Sequence, residues 1–153
     1  MRKTIIAILL IALISATSCT KNGPPVNQWT FKGVTYKTTN CVPDSQSLTA
    51  THASISGGSS TYDIVSVTFP GGTYPIASGN YPVNAYSGNG VQIYANFGGA
   101  SGSNYFSNDG FGRTIYIHVT PDGKLGMNCS GIMLFNANGT DSAVLDLSIT
   151  QTQ

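Results

Sequence analysis

The stretch that decides the fold is Thr114-Ile115-Tyr116-Ile117-His118-Val119-Thr120-Pro121-Asp122-Gly123-Lys124-Leu125-Gly126-Met127-Asn128-Cys129. Ile115, Ile117 and Val119 alternate with Thr114, Tyr116 and His118, and a period of two puts the apolar set on one face of a strand. Pro121-Asp122-Gly123-Lys124 then reads as a tight turn, with Gly where the backbone needs a positive φ. Leu125, Met127 and Cys129 resume the alternation, so the whole stretch is an antiparallel hairpin with one greasy face.

The same pattern spreads in both directions. Upstream, Val65, Val67 and Phe69 share a face, and so do Val91, Ile93, Ala95 and Phe97. Near the start, Trp29-Thr30-Phe31, the turn Lys32-Gly33 and Val34-Thr35-Tyr36 form an opening hairpin. Downstream, Gly131 leads to Ile132–Phe135, Asn138-Gly139 turns the chain, and Ala143, Leu145, Leu147 and Ile149 make a final strand. Ser47 to Ser56 is β-rich but inconsistent: Leu48 and Ala50 lie on one face, Ala53 and Ile55 on the other, which predicts a bulge. Gly57-Gly58-Ser59-Ser60 and Gly98 to Asn104 read as loops. No stretch with a helical period follows Cys19. Eight to ten short antiparallel strands must bury their apolar faces against each other, so the fold is all-β. A β-sandwich is the first expectation, since Gly126 and Gly131 suggest strands that bend between sheets; a lipocalin-like β-barrel is the alternative.

Composition narrows the activities. From Cys19 to Gln153 the chain carries five bases, Lys21, Lys32, Lys37, Arg113 and Lys124, against six aspartates and no glutamate. Such a near-neutral chain lacks the basic stripe that nucleic acid requires. His52 and His118 are the only histidines, and neither stands at a metal-ligand spacing. Ser107-Asn108-Asp109-Gly110-Phe111-Gly112 offers one acid, too few oxygens for calcium. No nucleophile-elbow Gly-x-Ser-x-Gly occurs. The expectation is therefore a protein without catalytic residues, metal or cofactor.

The N-terminus gives an address. Arg2 and Lys3 precede an unbroken apolar run from Ile5 to Ile14, then Ser15-Ala16-Thr17-Ser18 and Cys19. Charge, a short greasy core and small residues are the layout of a secretory signal, and the run is about half the ~20 residues a spanning helix needs. Ala16-Thr17-Ser18-Cys19 resembles a lipobox, though Ala16 stands where that pattern prefers Leu. Residues 1–18 are thus read as a lipoprotein signal peptide, residues 19–27 as a tether lipidated on Cys19, and residues 28–153 as the β domain. Export to an oxidising compartment makes a Cys41–Cys129 disulfide plausible on chemistry, against the alternative of two buried, inert thiols. A bridge would make the N-terminal hairpin a neighbour of the strand from Lys124 to Cys129.

Tyrosine is the suggestive residue type. Tyr94 and Tyr116 are expected to point outward, and Tyr86 and Tyr105 to fall in or beside loops. Partly exposed rings stack on sugars and anchor protein interfaces, and this makes the four candidates for partner binding.

The Ser18-Cys19-Thr20-Lys21 junction, the Trp29 to Tyr36 opening, the Thr120 to Leu125 turn and the final strand to Gln151 together resemble small β-rich lipoproteins of the Bacteroidota. The resemblance implies location and fold and supplies no activity. It implies lipid anchoring in the outer membrane of the cell envelope. Surface-bound members carry acids just after the lipidated cysteine; here the first acid is Asp44, which implies the periplasmic face. Asp141-Ser142-Ala143 resembles the sequon that these bacteria O-glycosylate, with Ser142 the acceptor. The functional expectation is a non-catalytic envelope lipoprotein, held to the membrane by its lipid, that serves as a binding or structural module for a protein or glycan. A lipocalin-like carrier of a small apolar ligand and a hydrolase with an unrecognised site are the alternatives.

Overall fold

The computed structural model describes residues 26–56, 58–84, 90–99, 102–108 and 112–153. Residues 1–18, expected to be a signal peptide, Cys19, nearly all of the expected tether, Tyr86 and Asp109 lie outside the described residues. Eleven strands follow one another: β1 (Asn27–Phe31), β2 (Val34–Thr38), β3 (Cys41–Pro43), β4 (Ser47–Ser56), β5 (Ser59–Thr68), β6 (Gly79–Pro82), β7 (Gln92–Phe97), β8 (Ser103–Ser107), β9 (Thr114–Val119), β10 (Leu125–Asn136) and β11 (Ser142–Thr150). All their pairings are antiparallel. Strand β1 begins at Asn27, so the expected tether gives way to the domain one residue early.

The strands belong to one sheet, ordered β2-β1-β11-β10-β8-β7-β5-β4-β3, with β9 joining β10 and β6 joining β9. That corrects the expectation of two stacked sheets: the single sheet curls on itself, as the barrel alternative requires. Closure happens separately at the two ends. At one end the Cys41 amide donates to Thr152 Oγ1 at 3.1 Å, and the Thr152 amide donates back to the Cys41 carbonyl at 2.8 Å. These bonds tie β3 to the chain just beyond β11. At the other end the Thr38 hydroxyl donates to the Thr51 carbonyl at 2.6 Å and His52 Nδ1 donates to the Lys37 carbonyl at 2.8 Å, tying β2 to β4.

Strand β10 makes the double closure possible. Its first part, Leu125 to Asn128, pairs with β9, and its last part, Leu134 to Asn136, pairs with β8. The switch comes at a bulge between Cys129 and Ile132, where Gly131 has φ +72, a conformation that a side chain would strain. Gly131 thus bends the strand as its sequence suggests, but within one sheet. On the far side of the fork, Val83 and Val91 bridge the end of β6 to the start of β7. Ser107 fills the crotch: its hydroxyl accepts from the Ile93 amide at 3.0 Å and donates to the Asn84 carbonyl at 2.8 Å, so its burial leaves no polar atom unpaired.

The expected turns hold. Lys32 and Gly33 both have positive φ, +50 and +76, the pair a two-residue hairpin turn needs. Gly123 has φ +81 and its amide donates to the Thr120 carbonyl at 2.9 Å. The bulge expected in β4 is absent: Ser47 to Ser56 runs in unbroken register against Thr68 to Ser59. Leu48 and Ala50 face the core, while Ile55 is 79% exposed. The alternation is strict, and its outer apolar residue lies where the hairpin outruns the rest of the sheet.

Cys41 and Cys129 are both buried and both free. The bridge fails on geometry. Cys129 pairs with Leu147 on one side of β11, and Cys41 bonds Thr152 on the other. Five residues of extended chain separate those two partners, roughly 16 Å at ~3.3 Å per residue, whereas a bridge needs its Cα atoms within ~7 Å. The N-terminal hairpin does come close to β10, but through β11 rather than beside it. Burial pushes both thiols up to about 12, so near neutral pH they remain protonated and inert.

Candidate functional site

Among the described residues, the inward-facing side chains are packed together. Leu48, Val65, Val67, Val91, Ile93, Ala95, Ile115, Ile117, Leu134 and Leu145 each have no accessible surface. A water-sized void beside any of them would register as exposed area, so these side chains fill the barrel as a packed core. A carrier lumen would instead leave inward-facing surface.

One end of the barrel is stoppered by rings. Phe31 stacks on Phe97 with centroids 4.5 Å apart and planes 8° from parallel, and meets Tyr105 edge-on at 4.8 Å. Tyr36 lies 5.5 Å from Trp29 in a second stack and 5.2 Å from Phe97. Over them, Lys32 donates to the Tyr105 hydroxyl at 2.8 Å and pairs with Asp141, while the Tyr105 hydroxyl donates to Asp141 Oδ2 at 2.6 Å. The Asp141 hydrogen bond raises Lys32 above its ordinary range, and the same contact holds Asp141 below its own. Tyr105 is therefore a buried structural residue, 4% exposed, which corrects its expected place in a binding loop. Its segment is strand β8, and the residue faces inward opposite Ala95.

The two histidines stand apart. His52 faces the ring cluster, edge-on to Tyr36 at 5.7 Å, with the buried Asp63 opposite it in register. Asp63 Oδ1 accepts from the Gly98 amide at 2.9 Å. His118 faces outward, its Nδ1 3.3 Å from Ser78 Oγ. Among the described residues, no group of three or more His, Cys, Asp or Glu gathers to hold a metal.

The outer wall is different. Register places Asn80 opposite Tyr116, Tyr116 opposite Asn128, Asn128 opposite Ser148, Ser148 opposite Gln28, and Gln28 opposite Lys37. These six outward residues make one row that follows the curl of the sheet across β6, β9, β10, β11, β1 and β2. All are exposed, and among the described residues none of their side chains has a hydrogen-bond partner within the protein. Two shallow depressions meet on this row and share Asn128 and Ser148. One, of about 340 Å³, extends to Gln28, Thr30, Ser130 and Asp146. The other, of about 250 Å³, extends to Tyr116, His118, Gly126 and Thr150. Asp146 is already engaged: the Ser130 hydroxyl at 2.7 Å and the Gly131 amide at 2.8 Å hold its carboxyl below the usual range.

Of the tyrosines singled out by sequence, Tyr116 stands on this row, 46% exposed. Tyr94 also points outward, but its hydroxyl is tied to Asn104 Oδ1 at 2.9 Å and its strand neighbours are Ser66 and Phe106. The structure does not bring the two together. Ser142 is exposed at the start of β11, opposite Phe135. No family model, curated protein or solved structure matches this chain.

Proposed function

We propose that this chain is a lipid-anchored protein of the bacterial envelope, tethered by Cys19 to the outer membrane and facing the periplasm. Its barrel is a filled, non-catalytic scaffold that binds its partner on the outer wall around Asn128. The observation that supports a filled scaffold over a carrier is the packed interior, where described inward side chains have no accessible surface. The hydrolase alternative finds no support in the two histidines, which sit on different faces, each without a carboxylate and a hydroxyl both bonded to it.

Photocrosslinking in living cells tests the wall. A photoreactive residue in place of Asn128 is expected to form a discrete adduct in the envelope, while the same residue in place of Tyr62, on the outside of β5, forms none. Adducts from position 62 and none from position 128 would contradict the assignment.

A further inference from the structure

The row from Asn80 to Lys37 has a chemistry of its own. It holds two carboxamides flanking a tyrosine, then a hydroxyl, a third carboxamide and a single ammonium. Five steps between neighbouring strands at ~4.8 Å make it roughly 24 Å along the curved wall. Carboxamides and hydroxyls both donate and accept, so they suit a ligand whose own groups do both. Tyr116 adds a half-exposed ring with no competing hydrogen bond. Beside it, Gly126 pairs with His118 and with Thr150 and contributes no side chain, which leaves the smaller depression open.

We propose that this row binds a linear, neutral glycan laid across the strands, with a sugar ring stacked on Tyr116 and hydroxyls bonded by Asn128, Ser148 and Gln28. The inference rests on the outer wall being the binding surface. On the row an acidic polymer would meet one ammonium, Lys37; the Arg113 guanidinium lies off the row beside Gly131, and Asp146 stands two residues from Ser148 along β11. A protein partner would meet a row with one aromatic residue and no aliphatic anchor, where the centres of protein interfaces are apolar. A polyol matches the row group for group, donors and acceptors alike.

Gly126 supplies a clean variant, because its φ lies outside the left-handed region and an added Cβ would come no nearer than 3.4 Å, to Thr150 Oγ1. Gly126→Val therefore narrows the depression from a backbone position that accepts a Cβ. The test is affinity electrophoresis of the mature protein in a polyoxyethylene detergent, through gels containing soluble neutral glucan, mannan or xylan, with alginate as the acidic comparison. At least one neutral polymer is expected to retard the protein. Tyr116→Ala and Gly126→Val each weaken that retardation about tenfold, and Tyr62→Ala leaves it unchanged. Retardation by alginate alone, or by a neutral polymer with Tyr116→Ala unaffected, overturns the proposal. If no neutral polymer retards the protein while position 128 crosslinks to a polypeptide, the glycan is wrong and the wall stands. If position 128 also fails to crosslink, both are wrong.

Discussion

Phe31→Ala is expected to destabilise the folded protein by about 3–5 kcal/mol, the usual cost of emptying a buried aromatic site. Phe31 is 2% exposed and touches two other rings, Phe97 face to face and Tyr105 edge to face. Its neighbours are stiff rings with few alternative rotamers, so the space left behind collapses poorly. The loss is large against the ~5–15 kcal/mol that holds a typical domain together. The ion pair above it carries far less, because Lys32 and Asp141 side chains are each 43% exposed and water screens them. Rings, then, hold this end of the barrel shut, and the charges orient the turn over them. Guanidinium unfolding of the mature protein checks it, with Ile76→Ala as a control, since Ile76 is 94% exposed and should change stability by less than about 0.5 kcal/mol. A loss below about 1 kcal/mol for Phe31→Ala would mean that the stack is not what closes the end.

Cys19→Ala is expected to convert a membrane-bound protein into a released or unprocessed one. The residue follows a basic pair, a short apolar run and four small residues, the order in which a lipoprotein signal is read. One acyl chain binds a membrane only marginally, and two or more anchor it stably, at ~0.8 kcal/mol per buried methylene. In the proposed reading the Cys19 sulfur carries the diacylglycerol, so its loss removes the anchor outright, with no graded effect to interpret. Metabolic labelling with a fatty-acid analogue, followed by fractionation, should find label and membrane partition in the parent and neither in the variant. Label that persists on Cys19→Ala would show that the lipid sits elsewhere.

Strand by strand, much of this architecture is legible in the sequence, because one buried face imposes strict alternation. Val65 and Val67, Ile93 and Ala95, Ile115 and Ile117, Leu145 and Leu147 are all in the core where their period puts them. The turns at Gly33, Gly123 and Gly139 are legible too, since a positive φ nearly demands glycine. Strands β3, β6 and β8 are not. Cys41–Pro43 is three residues long, Gly79–Pro82 begins and ends on residues that usually break strands, and Ser103–Ser107 has no apolar alternation. With β8 illegible, Tyr105 is expected in or beside a loop, although it is one of the rings that fill the barrel.

The choice between sandwich and barrel has no local signal either. It rests on contacts such as Thr152 to Cys41, made between residues 111 apart in sequence. The outer row is the extreme case. Asn80, Tyr116, Asn128, Ser148, Gln28 and Lys37 have no common spacing along the chain, and only five successive strand registers line them up. Tyr116 alone was visible in advance, as a ring on the polar face of a strand.

The central claim is that the barrel is filled and works from its outside. Native mass spectrometry of the protein extracted from its own envelope tests that most directly. The account predicts the mass of the mature polypeptide with its N-terminal lipid, and no further apolar molecule that leaves only when the protein is unfolded. A stoichiometric apolar ligand, held in the folded state and released on unfolding, would contradict it.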